Sequence, residues 1–163
     1  MSRQSQYRIS VHPRSSVVLF TERTASTGAS GPKNLPRLFR VQWAMSHVLL
    51  VEDDALVRML LEKRLLAAGW HVTALRDGRN VTEVLRASRV DLILIDLGLP
   101  HVDGLTVVED LRAQGFTTPV MVLTAYELPH LQATVRSTGA NELVQKPYDQ
   151  EELLQRMARL VAA

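Results

Sequence analysis

The stretch DLILIDLGLPHVDG, residues 91–104, decides how the rest of the chain is read. Its four consecutive aliphatics, Leu92 to Ile95, leave no polar residue at alternate positions, so a strand built from them is buried on both faces. Such a strand belongs to a parallel sheet covered by helices on either side. The run closes on an acid, Asp96, and the loop residues Pro100 and Gly104 lead into the next element.

Outward from this segment the same unit repeats. Upstream, HVLLV (47–51) precedes a helix over about 54–68, with Val57, Leu60, Leu61 and Leu65 on one face and Gly69 as its stop. HVTAL (71–75) precedes a helix over about 79–87. Downstream of the strand at 91–96 comes a helix over about 104–114, closed by Gly115. PVMVLT (119–124) leads to a helix over about 128–138, closed by Gly139. ELVQK (142–146) leads to a last helix over about 150–160, with Leu153, Leu154, Met157, Leu160 and Val161 on one face. Five strand–helix alternations imply right-handed βαβ crossovers and a five-stranded doubly wound α/β domain. Its site is expected where the carboxyl ends of the strands meet at the topological switch point.

Composition is that of a soluble globular protein, with 46% hydrophobic and 22% charged residues among 163. The absence of cysteine excludes disulfides, thiolate metal sites and cysteine nucleophiles, and fits a reducing, cytoplasmic setting. No apolar run reaches membrane-spanning length. The net charge of +2 hides an asymmetry: residues 1–44 hold seven Lys/Arg and one acid, residues 45–163 twelve Lys/Arg and sixteen acids. The high pI of 9.3 therefore belongs to the N-terminal segment and is no sign that the domain binds nucleic acid. Residues 24–36, TASTGASGPKNLP, have almost nothing to bury, so residues 1–44 are expected to be a disordered basic extension. An over-early start codon would account for it, since Met45 precedes the first strand by two residues.

The strand ends bring particular chemistry to one rim. The first ends in Glu52, Asp53 and Asp54, the third in Asp96, the fourth in Thr124 and the fifth in Lys146. The second supplies no acid at its very end, which suits an edge strand. Clustered carboxylates repel unless a cation neutralises them. Oxygen-only ligands at a water-accessible rim suit Mg²⁺. A carboxylate beside that ion can attack a phosphoryl group to give an acyl phosphate. The ammonium of Lys146 and the hydroxyl of Thr124 would then compensate the phosphoryl oxygens.

VEDD, IDLGLPHVDG, VLTA and VQKP, in this order and spacing, resemble the receiver domain of two-component response regulators. The resemblance covers His47 to the C-terminus and implies a flavodoxin-like (βα)5 fold with strand order 2-1-3-4-5. It implies Asp96 as phosphoacceptor, Asp53 as direct Mg²⁺ ligand, Glu52 acting through water and the Gly98 carbonyl as a further ligand. Thr124 corresponds to the switch hydroxyl, and Lys146–Pro147 to a Lys–Pro pair whose peptide bond is usually cis. Pro100 and Gly104 are structural, and Asp54 falls outside the acidic pair as a helix N-cap. Leu143 stands where many receivers carry an aromatic switch residue. Gly98 and Tyr126 stand at two positions that the family varies to set the hydrolysis rate. None of the five histidines falls at a motif position, so each is expected at a surface or an edge.

The function so implied is signalling rather than enzymatic. A phosphoryl group comes from a histidine kinase or phosphotransferase and leaves by relay or by changed binding of a downstream protein. That binding is expected on the face of the fourth helix, fifth strand and fifth helix, with a homodimer as one option. A haloacid-dehalogenase-like phosphatase would want a second Asp where Gly98 stands, and a degenerate scaffold would not keep every catalytic position filled. Only Ala162 and Ala163 follow the last helix, so no DNA-binding domain is expected, and no membrane partner. Deletion of residues 1–44 is expected to leave the melting temperature and Mg²⁺ affinity unchanged. A clear fall in melting temperature would show that the extension packs on the domain.

Overall fold

The computed structural model describes residues 46–127 and 129–163. The extension expected at 1–44 and its boundary at Met45 lie outside the described residues, as does His12. From Ser46 onward the order is β1 (His47–Val51), α1 (Ala55–Ala67), β2 (His71–Leu75), a 3₁₀ turn (Gly78–Asn80) and α2 (Val81–Ala87). Then follow β3 (Leu92–Asp96), α3 (Gly104–Ala113), β4 (Val120–Thr124), α4 (Leu131–Ser137), β5 (Glu142–Gln145) and α5 (Gln150–Ala162). All pairings are parallel and the strand order is 2-1-3-4-5, the doubly wound, flavodoxin-like arrangement that the alternation implied.

The aliphatic runs explain the layering. Successive side chains of a strand point to opposite faces, and every residue of β1, β3 and β4 is buried. Leu49, Val51, Ile93, Ile95, Val120 and Val122 pack on one face with Val81 of α2, Val108 and Leu111 of α3 and Val135 of α4. Val48, Leu50, Leu92, Leu94, Met121 and Leu123 pack on the other with Leu61 and Leu65 of α1 and Leu153, Leu154 and Met157 of α5. Asp54, Asp103 and Asp149 start α1, α3 and α5, each accepting two backbone N–H bonds in the first turn. Gly69, Gly115 and Gly139 end α1, α3 and α4 at positive φ, as their positions suggested.

Three local expectations change. Leu60 was placed on the buried face of α1 but is 53% exposed, because the helix seats Leu61 and Leu65 on the sheet and turns Leu60 about 100° away. Helix α4 begins at Leu131 rather than near 128, since His130 has φ 64 and a left-handed residue cannot continue a helix upstream. His47, expected at a surface or an edge, is buried. Its ring lies 2.8 Å from both the Arg89 carbonyl and the Thr73 hydroxyl, which meet its polar needs.

Gly104 fixes how closely α3 approaches β3. A methyl group there would land on the carbonyl oxygen of Asp96, backbone that cannot swing aside. Gly104→Ala is therefore expected to lower stability by about 1–3 kcal/mol through overpacking. At Gly115 nothing lies within 4 Å and φ is 83, so an alanine there meets only backbone strain, about 1 kcal/mol. Denaturant titration of both variants checks the contrast; equal losses would mean that the contact at Gly104 relaxes freely.

Candidate functional site

The parallel sheet gathers its carboxyl ends at one rim, and the residues expected there arrive together. Glu52 follows β1 directly and is buried, while Asp53 beside it is exposed. Asp96 is the last residue of β3 and Thr124 the last of β4, both buried. One carboxylate oxygen from each of Glu52, Asp53 and Asp96 lies within 4.8 Å of the others. Lys146, one residue past β5, reaches between two of them: its Nζ lies 2.6 Å from Glu52 Oε2 and 3.0 Å from Asp96 Oδ1. Asp96 Oδ2 accepts a 3.0 Å bond from the Gly98 N–H, so both oxygens of that carboxylate have a donor.

Electrostatics follow from this packing. Burial pushes the Glu52 carboxyl above its ordinary pKa, and its bond to Lys146 only partly offsets that. Burial would lower the Lys146 ammonium, but the bonds to Glu52 and Asp96 outweigh it and hold the pKa above its ordinary value. The lysine therefore stays charged. Three carboxylates facing one ammonium leave a net of two negative charges, which a divalent cation would balance.

The remaining expected positions are placed as follows. Thr124 Oγ1 accepts a 3.0 Å bond from the Tyr126 N–H. A side chain at Gly98 would meet the Tyr126 hydroxyl at 3.4 Å and Asp96 Oδ2 at 3.1 Å, so Tyr126 occupies the space over Gly98. Leu143, half-buried against the core, lines the same groove as Thr124, Tyr126 and Leu131. The Lys146–Pro147 peptide is cis. Asp54 caps α1 and stands apart from the carboxylate cluster.

Charged residues that the strand-end reading passed over stand at the same rim. It credited β2 with no acid at its very end, yet the turn just beyond carries Arg76, Asp77 and Arg79. These residues, with Pro100 and His101, form a cleft against Asp53. The legible signal was the run RDGR directly after the strand.

Comparison with known proteins agrees with this geometry. The family model described as the response regulator receiver domain matches residues 48–158. The "Virulence transcriptional regulatory protein PhoP" of Salmonella choleraesuis is 39% identical over 117 residues, which are 72% of this chain and 52% of that protein. The "Response regulator MprA" of Mycolicibacterium vanbaalenii is 35% identical over 114 residues, 70% of this chain and 49% of that protein. Among solved structures, the Vibrio cholerae chemotaxis protein CheY4 is 30% identical with a TM-score of 0.66, and the match covers 71% of this chain and 98% of that one.

The chain thus spans about half the length of the curated relatives it matches. This overturns the expectation that the protein has no DNA-binding domain. That expectation rested on how little sequence follows the last helix, but a receiver module closes with that helix whatever follows it. Relatives of which the match covers only about half, one of them named a transcriptional regulator, remove the ground for it. Among the described residues no helix is long and apolar enough to cross a membrane. With the family model reaching all five strands, the chain belongs to the response regulator receiver domains, signalling modules of two-component systems rather than classical enzymes.

Proposed function

We propose that this receiver takes a phosphoryl group on Asp96 from a phosphohistidine of a histidine kinase or phosphotransferase, in the cytoplasm, and passes the signal on by relay or by altered binding. The observation that carries the reading is the Lys146 ammonium, set between Glu52 and Asp96 at the meeting point of three carboxylates.

The residues present suit a divalent cation, since oxygen ligands and surplus negative charge are what Mg²⁺ requires. The carboxylates of Glu52, Asp53 and Asp96 and the Gly98 carbonyl would hold it. Bound there, Mg²⁺ would supply charge neutralisation for the phosphoryl oxygens. In the transfer a carboxylate oxygen of Asp96 forms a bond to phosphorus, while the bond from phosphorus to the donor nitrogen breaks and its electron pair leaves with the imidazole. Lys146 holds Asp96 in place and offers its charge to a phosphoryl oxygen. The acyl phosphate is later cleaved by water, so the chain promotes only reactions at its own aspartate.

Thr124 is the exit for the signal. Turning its hydroxyl toward a phosphoryl oxygen alters the bond it accepts from the Tyr126 N–H and pulls on the segment leading to α4. Leu143 lines the groove beside Thr124 and repacks without a ring having to change place.

Mg²⁺ with acetyl phosphate is expected to label the wild-type protein, and Asp96→Asn to abolish the label by mass spectrometry. Undiminished labelling of Asp96→Asn would sink the assignment. In calorimetry Asp53→Ala is expected to weaken Mg²⁺ by at least about tenfold and Glu52→Ala by less. With beryllofluoride, NMR shifts are expected to run from Thr124 to α4 and Leu143; shifts confined to the rim would refute this exit.

A further inference from the structure

The acidic rim sets a problem for its own chemistry. Glu52, Asp53, Asp96 and Lys146 together carry two net negative charges, and phosphodonors are anions. An anion approaching these groups alone is repelled, and a bound divalent cation brings the balance only to neutral. Once close, the donor's oxygens meet the lysine and the cation, but net attraction at longer range has to come from elsewhere on the surface.

The turn after β2 supplies it. A cleft of about 350 Å³ lies against Asp53 and is lined by Arg76, Asp77, Arg79, Pro100 and His101. The cleft is built rather than loosely draped. Gly78 packs so tightly that a methyl group there would strike Val107 of α3. Asp77 is buried and accepts from the Arg79 backbone N–H at 3.1 Å. The Arg79 guanidinium binds the same carboxylate with two bonds, 3.2 Å from Nε to Oδ1 and 2.8 Å from Nη2 to Oδ2. Those bonds hold the Asp77 carboxyl down at about 2, so it stays ionised and cancels one guanidinium. Arg76 is the surplus charge. It is 78% exposed, and its Nε stands 3.7 Å from Asp77 Oδ2, a looser contact than either bond of Arg79.

We infer that Arg76, an exposed residue next to the Asp77–Arg79 pair in the cleft beside Asp53, is a cationic lip that draws small acyl phosphates into the acidic site. The inference rests on the reading of Asp96 as phosphoacceptor. A guanidinium at this place attracts the donor's phosphate and carbonyl oxygens from solution, and its effect is screened by salt. The same charge repels a cation bound next to Asp53. One residue thus raises the rate with an anion and lowers the affinity for a cation, a pair of effects of opposite sign that simple loss of structure does not produce.

The test uses the full chain with Mg²⁺ and acetyl phosphate. Initial labelling rates are compared for wild type, Arg76→Ala and Arg76→Lys at low salt and at about 0.5 M salt. Mg²⁺ affinity is measured separately by calorimetry. At low salt Arg76→Ala is expected to label roughly threefold more slowly. Arg76→Lys recovers the rate, the difference closes at high salt, and Mg²⁺ binds Arg76→Ala as tightly as wild type or tighter. Phosphoramidate, with a smaller net negative charge, is expected to show a smaller effect. Equal rates for wild type and Arg76→Ala at low salt would overturn the lip while leaving Asp96 in place. A deficit that persists at high salt, or Mg²⁺ binding that weakens in parallel, would overturn it as well. Failure of the wild type to label at Asp96 would overturn the underlying reading, and this one with it.

Discussion

The contact of Lys146 with Glu52 and Asp96 joins residues 94 and 50 positions apart in the chain. No local element can make it. It forms only when β1, β3 and β5 lie parallel in one sheet, with their carboxyl ends level and β4 between β3 and β5. Nor is the contact a cheap source of stability. Ion pairs taken out of water seldom recover their desolvation cost in full: burial pushes the Glu52 carboxyl upward despite its lysine, while the two carboxylates hold the lysine charged against its own burial. The aliphatic layers on both faces of the sheet supply the stability, and the rim draws on it. In the proposed function the surplus negative charge of the rim would be met by a cation, a trade of stability for reactivity that is common at functional sites.

Close backbone approach does the fine positioning. Gly104 brings the start of α3 against the Asp96 carbonyl, and its N–H donates to the Leu97 carbonyl at 3.2 Å. The backbone that carries Asp96 is thereby clamped by the first turn of α3. Gly78 does the same for the turn after β2, seating it on Val107 of the same helix. Helix α3 therefore registers two walls of the rim at once: the strand end with Asp96 and the turn with Arg76 and Arg79.

Which parts of this could be read in the sequence depends on how local their causes are. LILI and VMVL announce burial on both faces, and from that the parallel sheet follows; the gathering of Glu52, Asp53, Asp96, Thr124 and Lys146 then follows from topology alone. The start of α4 was not legible, because it depends on the left-handed turn at His130, a conformation that a histidine does not advertise. Leu60 shows the weakness of counting apolar residues on a short helix, where one step of about 100° separates core from solvent. The burial of His47 depends on Arg89 and Thr73, residues far away in the chain whose polar atoms happen to meet its ring. Arg76, Asp77 and Arg79 were overlooked because attention to strand-final acids stops at Leu75, while the turn that follows curls back toward Asp53. The end of the chain was simply the wrong kind of evidence for an output domain, because a complete receiver looks the same whether or not something follows it.

The two flanks of Asp96 are finished differently, and that difference constrains how reactants reach it. Over Gly98 the flank is bordered by the Tyr126 ring, whose hydroxyl would lie 3.4 Å from the first carbon of a side chain at 98. Toward Asp53 the surface opens into the cleft lined by Arg76 and His101. The space at Gly98 is thus bordered by a residue two places beyond Thr124, tied to that threonine through its own backbone N–H. Any movement that turns the Thr124 hydroxyl inward also acts on the backbone that carries the ring beside Gly98. In the proposed function, the signal's exit at Thr124 and the surroundings of Gly98 would thus share one short segment, coupling the two through the Tyr126 backbone.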